Sequence, residues 1–276
     1  MTQTLTLTFN FQLLSSLDFT LKKYKELLVA LHSAGYAFHT LEEYCDGKCT
    51  EEKYIVLRHD VDLKTQNSVC TAEIEHQLGI RASYYFRVVP ESNQPDKIKR
   101  IAELGHEIGY HYEDMTICEG DTDRAIAHFE QQLRHFRTFY PVRTICMHGA
   151  PRSSYDGKDL WKKYDYRTYG IVGEPYFDVD FSQMFYLTDT GRMWDGFHVS
   201  VRDKIPVYQD EWTRQGLTYH TTDDIVEAVK NSALPARIMI TTHPQRWTDR
   251  KMAWFKELLL QSVKNIVKRM IVRKQR

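Results

Sequence analysis

The sequence predicts a single α/β domain built from parallel strand–helix units. Short apolar runs alternate with segments of helical periodicity, roughly six times along the chain. Hydrophobic residues make up 42% of the 276 residues, which is enough for an ordinary core. Neither a linker nor an internal repeat divides the chain, so one barrel-like domain is favoured. Alternation alone does not distinguish a closed barrel from an open doubly wound sheet.

The predicted elements follow one another in a regular order. The first helix, 18–33, carries an apolar face and stops at Gly35, and a polar connection, 36–53, leads to the first strong strand. Glycine or proline follows several of the later elements, as expected where a helix or strand ends. Segment 173–220 is predicted to be irregular or short-stranded. The predicted strands are 54–58, 81–89, 106–112, 142–147, 166–172 and 237–242, and the later helices are 64–78, 96–104, 121–140, 159–164, 223–231 and one from residue 250 onward.

Asp60 and Asp62 directly follow the first strong strand. Side chains alternate along a strand, so both carboxylates, together with Arg58, point to one face and His59 points to the other. Two adjacent carboxylates repel each other unless a cation or a shared proton separates them. The carboxyl ends of parallel strands are also where α/β folds place their chemistry. The pair therefore predicts half of a metal site, with an inert acidic turn as the alternative.

Three histidines stand at the ends of later strands. His111 ends the strand at 106–112, His148 follows the strand at 142–147, and His243 follows the strand at 237–242. His106 stands instead at a strand entrance, where a structural hydrogen bond is expected. Imidazole and carboxylate together suit zinc or another first-row divalent metal. One aspartate and two histidines leave positions open for water and substrate, which is the catalytic pattern. His243, after the last predicted strand, is suited to act as a general acid.

Segment 186–195 combines a carboxylate, a guanidinium and an indole. Asp189 could orient a catalytic histidine, and Trp194 could form a wall of a sugar pocket; an exposed turn with a packing indole is the alternative. The sequence contains no phosphate-binding glycine loop, no Gly-x-Ser-x-Gly elbow and no dinucleotide fingerprint. Metal-assisted hydrolysis is therefore the chemistry that best matches these residues.

In this order the motifs resemble those of the polysaccharide deacetylases of the NodB-homology type, carbohydrate esterase family 4. Arg58-His-Asp-Val-Asp62 is similar to the first motif of that family, and Gly105-His-Glu-Ile-Gly-Tyr-His111 is similar to the second. Met239-Ile-Thr-Thr-His243-Pro is similar to the last motif. The resemblance extends over about 54–245. It implies a distorted or incomplete (β/α) TIM-like barrel.

The resemblance also implies domain limits and an activity. One deacetylase domain would occupy 1–276, with an N-terminal helical extension at 1–50 and a basic C-terminal helix at 250–276. The implied reaction removes N-acetyl groups from a carbohydrate, such as a surface-polysaccharide or glycan precursor. It needs a divalent metal, zinc first, with cobalt, manganese or nickel as alternatives. The implied site residues are Asp60 as catalytic base, Asp62, His111 and His148 as metal ligands, His243 as general acid, and Arg152 and Asp189 as residues that tune the base and the acid.

The chain departs from the family pattern at three places. Val61 separates the two aspartates, Met115 stands where the family carries a further histidine ligand, and His148-Gly-Ala-Pro-Arg152 replaces an Arg-Pro pair. A thioether is a poor zinc ligand, so His148 is expected as the third ligand, with Asp114 or Glu113 as alternatives. Two further functions stay open: a catalytically inactive carbohydrate-binding relative, and a hydrolase of another non-peptide C–N bond.

The charge of the chain and its lack of targeting signals limit the partners and the location that the sequence predicts. The formal charge is zero, so no general attraction to nucleic acid is expected, and the oligomeric state is not predicted. The sequence shows neither a signal peptide nor a membrane-spanning stretch, which favours the cytoplasm. The basic C-terminal helix is interpreted as a packed helix with a solvated tail, and docking on a membrane surface is the less favoured alternative.

Overall fold

The computed structural model describes residues 17–150, 153–194 and 204–274, the last eight of them as helical backbone. The described strands are all parallel and belong to one sheet. They are β1 Ala37–His39, β2 Tyr54–Val61, β3 Ser83–Phe86, β4 Glu107–Tyr112, β5 Ile145–Met147, β6 Phe185–Thr188 and β7 Arg237–Thr242.

The strand order is β5-β4-β3-β2-β7-β6, with β1 paired to β2 beside this path. Strands β2 to β5 are therefore neighbours in chain order, and the last strand returns to pair with β2 on its other edge. This is the order of a barrel that is open along one seam, between β5 and β6. Among the described residues, no strand ladder crosses that seam. The single α/β domain with an incomplete (β/α) barrel, expected from the resemblance, is confirmed.

Strand β2 is the centre of the sheet, and all of its residues are buried. One edge pairs with β7 from Tyr54 to His59, and the other pairs with β1 in its first half and β3 in its second. Because β2 is bonded on both edges, its register is fixed, and a slip of one residue would turn every side chain to the opposite face. The position of Asp60 follows directly from this pairing.

The reverse face of β2 is held by a buried polar cluster, which we call the rear cluster. The carboxylate of Glu75 accepts hydrogen bonds from Tyr24 Oη at 2.5 Å and from Tyr84 Oη at 2.8 Å, and it lies 2.9 Å from His59 Nε2. His59 Nδ1 lies 2.6 Å from Thr242 Oγ1. Burial alone would raise the pKa of Glu75, but the adjacent His59 imidazole outweighs it and lowers that pKa. The rear cluster thus ties β2 to the helix behind it and to β7.

Helices cover the outside of the sheet. Asp121 accepts hydrogen bonds from the first amides of the helix Thr122–Phe136, and Thr221 forms a capping box with Asp224 at the start of the helix Thr222–Lys230, so both helix starts lie where the sequence predicts them. The helices are α1 Leu21–Ser33, α2 Leu41–Cys45, α3 Thr65–Gln77, α4 Pro95–Glu103, α5 Asp114–Ile117, α6 Thr122–Phe136, α7 Pro175–Asp178, α8 Pro206–Arg214, α9 Thr222–Lys230 and α10 Lys251–Lys274.

Two predictions of elements were wrong. The segment 166–172 is not a strand: Tyr166–Tyr169 is a 3₁₀ turn, because the Asp165 side chain accepts the Arg167 amide and begins a helical turn. The polar connection 36–53 contains β1 and α2, so the expected N-terminal extension contributes a strand to the sheet. The short strand β6 lies within 173–220, the segment that was predicted to be irregular or short-stranded.

Candidate metal centre and catalytic site

Asp62, His111 and His148 meet at the carboxyl ends of β2, β4 and β5. Asp62 Oδ1 lies 3.8 Å from His111 Nε2 and 3.4 Å from His148 Nε2. The three ligand atoms all lie within 4.8 Å of one another. Asp62 Oδ1 is buried and has no hydrogen-bond partner among the described residues. An unpaired carboxylate oxygen that faces two imidazole nitrogens is a donor set suited to a divalent cation.

Each of these candidate ligands is oriented from behind by a second group. His111 Nδ1 lies 2.9 Å from the Cys146 carbonyl, and His148 Nδ1 lies 3.0 Å from Glu113 Oε2. Both partners accept hydrogen bonds, so Nδ1 carries the proton in each ring and the lone pair of Nε2 faces the site. The Gln245 amide donates to Asp62 Oδ2 at 3.0 Å. This supporting layer is the arrangement that fixes metal ligands in proteins.

Glu113 is itself held in place. Arg87 donates to both of its carboxylate oxygens, each at 2.8 Å. Burial alone would raise the pKa of Glu113, but His148 and Arg87 outweigh it and lower that pKa. Glu113 is therefore an anion that supports His148 in the structure, whereas the sequence had left it as an alternative ligand.

The electrostatics of the cluster favour cation binding. Burial alone would raise the pKa of Asp62, but His148, His243 and His111 outweigh it and hold that pKa well below its usual range. Burial, helped by the neighbouring His148, lowers the pKa of His111 to about 4. At neutral pH the site thus presents an ionised carboxylate and, at His111, a neutral imidazole, which are the forms that bind a metal.

Asp60 lies beside this cluster and is paired with Arg58. Its Oδ2 is 3.9 Å from His111 Nε2 and accepts a hydrogen bond from Arg58 Nη2 at 3.3 Å. The buried guanidinium is also fixed by hydrogen bonds from Nε to Thr241 Oγ1 at 2.7 Å, from Nη1 to Cys146 Sγ at 3.1 Å and from Nη2 to Tyr186 Oη at 3.4 Å. Sequence reasoning assigned Arg58 no role. The signal was present, since residues 58, 60 and 62 share one face of the strand.

His243 and Asp189 form a second pair at the end of β7. His243 Nδ1 lies 2.6 Å from Asp189 Oδ1, so the proton of that nitrogen points to the carboxylate and Nε2 is directed away from it. The buried Asp189 carboxylate also accepts from the His243 amide at 3.0 Å, from Arg246 Nη1 at 2.6 Å and from Trp247 Nε1 at 2.8 Å. Burial alone would raise the pKa of Asp189, but Arg246 and His243 outweigh it and lower that pKa. Gln245, two residues after His243, donates to Asp62 Oδ2 at 3.0 Å, which places this pair near the candidate metal centre.

The structure therefore brings six of the residues predicted from the sequence into one region: Asp60, Asp62, His111, His148, Asp189 and His243. Arg152, the seventh, lies outside the described residues. Asp114 lies apart from the candidate ligands, since its carboxylate accepts from Tyr110 Oη at 2.9 Å and lies 2.5 Å from His128 Nδ1. Met115 is buried in the hydrophobic core.

Two other residues singled out in the sequence, His106 and Trp194, make contacts that stabilise the fold. His106 Nε2 lies 3.0 Å from the Ala72 carbonyl, as expected for a histidine at a strand entrance. Trp194 is buried, and its indole donates to Thr222 Oγ1 at 2.9 Å and packs against Trp247. Trp194 therefore takes the packing position that the sequence analysis gave as the alternative to a pocket wall.

No protein-family model and no curated protein matches the chain. The solved structures that are similar to it include three of known family. All three belong to carbohydrate esterase family 4. One is a pseudoenzyme from Bacillus anthracis, with a TM-score of 0.42 and 13% identity over 78% of this chain and 61% of that one. The chain thus spans about three-fifths of that neighbour.

The second similar structure is an esterase from Streptomyces lividans in complex with acetate, with a TM-score of 0.39 and 16% identity over 77% of this chain and 90% of that one. The third is PdaA from Bacillus subtilis, with a TM-score of 0.39 and 14% identity over 87% of this chain and 84% of that one. Because this similarity is low, the residues of the chain itself are the basis for assigning a reaction. No described helix combines the length and the apolar character needed to cross a bilayer.

Proposed function

We propose that the chain is a metal-dependent hydrolase that removes N-acetyl groups from a carbohydrate. The observation that carries the proposal is the convergence of Asp62 Oδ1, His111 Nε2 and His148 Nε2, with the Asp60 carboxylate beside them and the His243–Asp189 pair nearby. The sequence motifs support the same conclusion, since their order resembles that of the carbohydrate deacetylases. On this proposal, 1–276 form one catalytic domain, and the predicted location is the cytoplasm.

Asp62, His111 and His148 would hold the metal. The fit rests on the buried, unpaired Oδ1 of Asp62 and on two imidazoles whose Nδ1 protons are already engaged. A set of two nitrogens and one oxygen suits zinc, and also cobalt, manganese or nickel. When bound, such an ion polarises a carbonyl group and makes water more acidic.

Asp60 would act as the general base. Its carboxylate lies at the edge of the candidate ligand cluster, where it can accept the proton of the attacking water on an oxygen fixed in direction by Arg58. Arg58 is a positioning residue, because it would act through its hydrogen bond to Asp60. The base is thereby held in one orientation before substrate arrives.

His243 would act as the general acid. Asp189 holds the Nδ1 proton, so the other nitrogen, Nε2, is the atom that delivers a proton to the departing amine. Arg246 and Trp247 fix Asp189 in turn, and this keeps the imidazole in one orientation. Amide hydrolysis requires this step, because an unprotonated amine is a poor leaving group.

The two other functions differ from the proposal in their observable products. The inactive, carbohydrate-binding function was motivated by Met115, and His148 now supplies a second imidazole to the cluster, which favours the enzyme. A hydrolase acting on another C–N bond would use the same residues and release ammonia or another amine instead of acetate.

The decisive experiment combines metal content with acetate release. The wild type, Asp62→Ala and His111→Ala are purified and their metal measured by mass spectrometry, with the exposed Asp210→Ala as the matched control. Near-stoichiometric metal is expected in the wild type and the control and is expected to be lost in the two cluster variants. Acetate release from N-acetylhexosamines and their oligomers is then measured with zinc, cobalt, manganese and nickel.

Two variants separate catalysis from metal binding. Asp60→Asn and His243→Ala should retain the metal and lose about 10²- to 10⁴-fold in the rate of acetate release, the usual contribution of general base or acid catalysis. The proposal is refuted if no metal binds and no acetate appears. Sugar binding that survives a chelator would then identify the non-catalytic relative, and ammonia release the other hydrolase.

A further inference from the structure

Helix α10 contacts the rest of the protein through a polar face. Glu257, Gln261 and Asn265, spaced by four residues, are 5–8% exposed and lie on one side of the helix. Lys64 Nζ lies 2.5 Å from Glu257 Oε2, Gln261 donates to Asn265 Oδ1 at 2.8 Å, and Asn265 Nδ2 donates to the Gly191 carbonyl at 2.8 Å. The side of α10 that faces the domain is therefore bound by hydrogen bonds and an ion pair.

The opposite face of α10 is apolar and exposed. Its residues, which we call the α10 stripe, follow one another at spacings of three or four: Met252, Phe255, Leu259, Val263 and Ile266. They are 54–84% exposed. Nine residues, or two and a half turns, separate Met252 from Gln261, so the two side chains point to opposite sides. The usual pattern of a surface helix is thus inverted along about 21 Å, which marks an interaction surface.

The charge around the stripe identifies its partner. Residues 250–276 contain nine Lys or Arg residues and one acidic residue, Glu257, which is paired with Lys64. Because the whole chain is formally neutral, this segment carries +8 and the remaining residues carry −8. Lys256 and Lys264 are exposed on the same helix. An exposed apolar stripe on a strongly basic helix is the pattern of a helix that lies in the plane of an anionic membrane surface.

Two other partners for the α10 stripe account for fewer of these observations. A second copy would bring two basic helices together, and like charges repel. The segment 1–16 precedes Asp18 in the sequence, and the carbonyl of Asp18 accepts from Trp254 Nε1 of α10 at 2.7 Å. That segment contains apolar residues but no charged residue, so it would match the stripe and leave the basic charge without a counterpart.

We propose that α10 docks the protein on a membrane surface rich in anionic lipid, with the α10 stripe inserted at the boundary of headgroups and acyl chains. The test uses the full chain and vesicles of phosphatidylcholine, with or without one-third phosphatidylglycerol, in a co-sedimentation assay at low and high salt. At least tenfold stronger partitioning to the anionic vesicles is expected, and it should weaken in high salt.

Three variants assign the binding to the helix. Leu259→Ser with Val263→Ser should reduce partitioning at least tenfold, because both side chains insert on this proposal, and Lys256→Glu with Lys264→Glu should do so only on anionic vesicles. Val207→Ser is the matched control, since Val207 is an 82% exposed apolar residue on α8, and it should bind as the wild type does. Unchanged circular dichroism and metal content show that a variant is folded.

Other outcomes overturn the proposal. Absence of binding to anionic vesicles refutes it directly. A dimer that the double serine variant converts to monomer, without any vesicle binding, assigns the stripe to a second copy. Binding that appears only after removal of residues 1–16 assigns the stripe to that segment. None of these readouts depends on acetate release, so this proposal and the proposed enzymatic function fail separately.

Discussion

The buried ion pair between Arg58 and Asp60 provides the most direct test of how the candidate site is arranged. Arg58 is 1% and Asp60 4% exposed, and their nearest charged atoms are 3.3 Å apart. At an effective dielectric constant of about 20, two unit charges at this distance attract by about 5 kcal/mol. Removing one partner of a buried ion pair leaves the other charge uncompensated, which usually costs about 3–5 kcal/mol.

We expect Arg58→Met and Asp60→Asn each to lower the free energy of unfolding by about 3–5 kcal/mol. The double variant should lose far less than the sum of the two, so the coupling energy from the cycle should be about 3–5 kcal/mol. The measurement is urea unfolding, followed by circular dichroism at pH 7.5 with a chelator present. Hydrogen bonds from Arg58 to Thr241 and Cys146 are lost in both legs of the cycle and cancel.

An exposed ion pair on α8 supplies the control. Arg214 and Glu211 are closer, at 2.6 Å, but their side chains are 75% and 48% exposed, so their coupling should stay within about 1 kcal/mol. A coupling of Arg58 with Asp60 no larger than that of the exposed pair would refute the reasoning. Some other group would then have to fix the proposed base.

Three further predictions concern the groups around the candidate metal centre. Glu113→Gln should weaken zinc affinity about 10- to 100-fold, because it loosens His148, and a competition assay with a chromogenic chelator measures this; equal affinity would contradict it. His111 has a pKa of about 4 in the folded protein and 6.5 when unfolded, so its contribution to the stability of the metal-free protein is present above pH 6.5 and is lost as the pH falls toward 4. Urea unfolding at pH 7.5 and 4 should therefore show a loss of about 3 kcal/mol that is absent in His111→Asn; equal pH dependence of the two proteins would refute this assignment. Asp189→Ala leaves the guanidinium of Arg246 buried without its carboxylate and should cost about 3–5 kcal/mol in the same assay, and a loss below about 1 kcal/mol would show that Asp189 is not a buried anion.

The sequence predicted those parts of the site that depend on local pattern. Asp60, Asp62, His111 and His243 stand at or just after apolar strands, and the carboxyl ends of parallel strands meet at one edge of a sheet. Alternation along β2 was sufficient to place both aspartates on one face. The barrel came from the resemblance, since strand–helix alternation fits an open sheet equally well.

Most contacts that organise the site could not be read from the sequence. Arg58 meets Thr241 across 183 positions of the chain and Arg246 meets Asp189 across 57, and no local period encodes such pairs. The bounds of the short strand β6 within 173–220 could not be predicted, because four residues carry no clear period. Helix α10 shows the same limit, since its pattern reveals two faces but not which of them packs on the domain.

The two faces of β2 carry two separate networks of contacts. On one side, residues 58, 60 and 62 serve the candidate catalytic site, and on the other the rear cluster fastens His59 to Glu75 and Thr242. Substitutions on the reactive side leave the contacts of the rear cluster in place. Residues of the candidate site can therefore change without disturbing the contacts that tie β2 to the helix behind it and to β7.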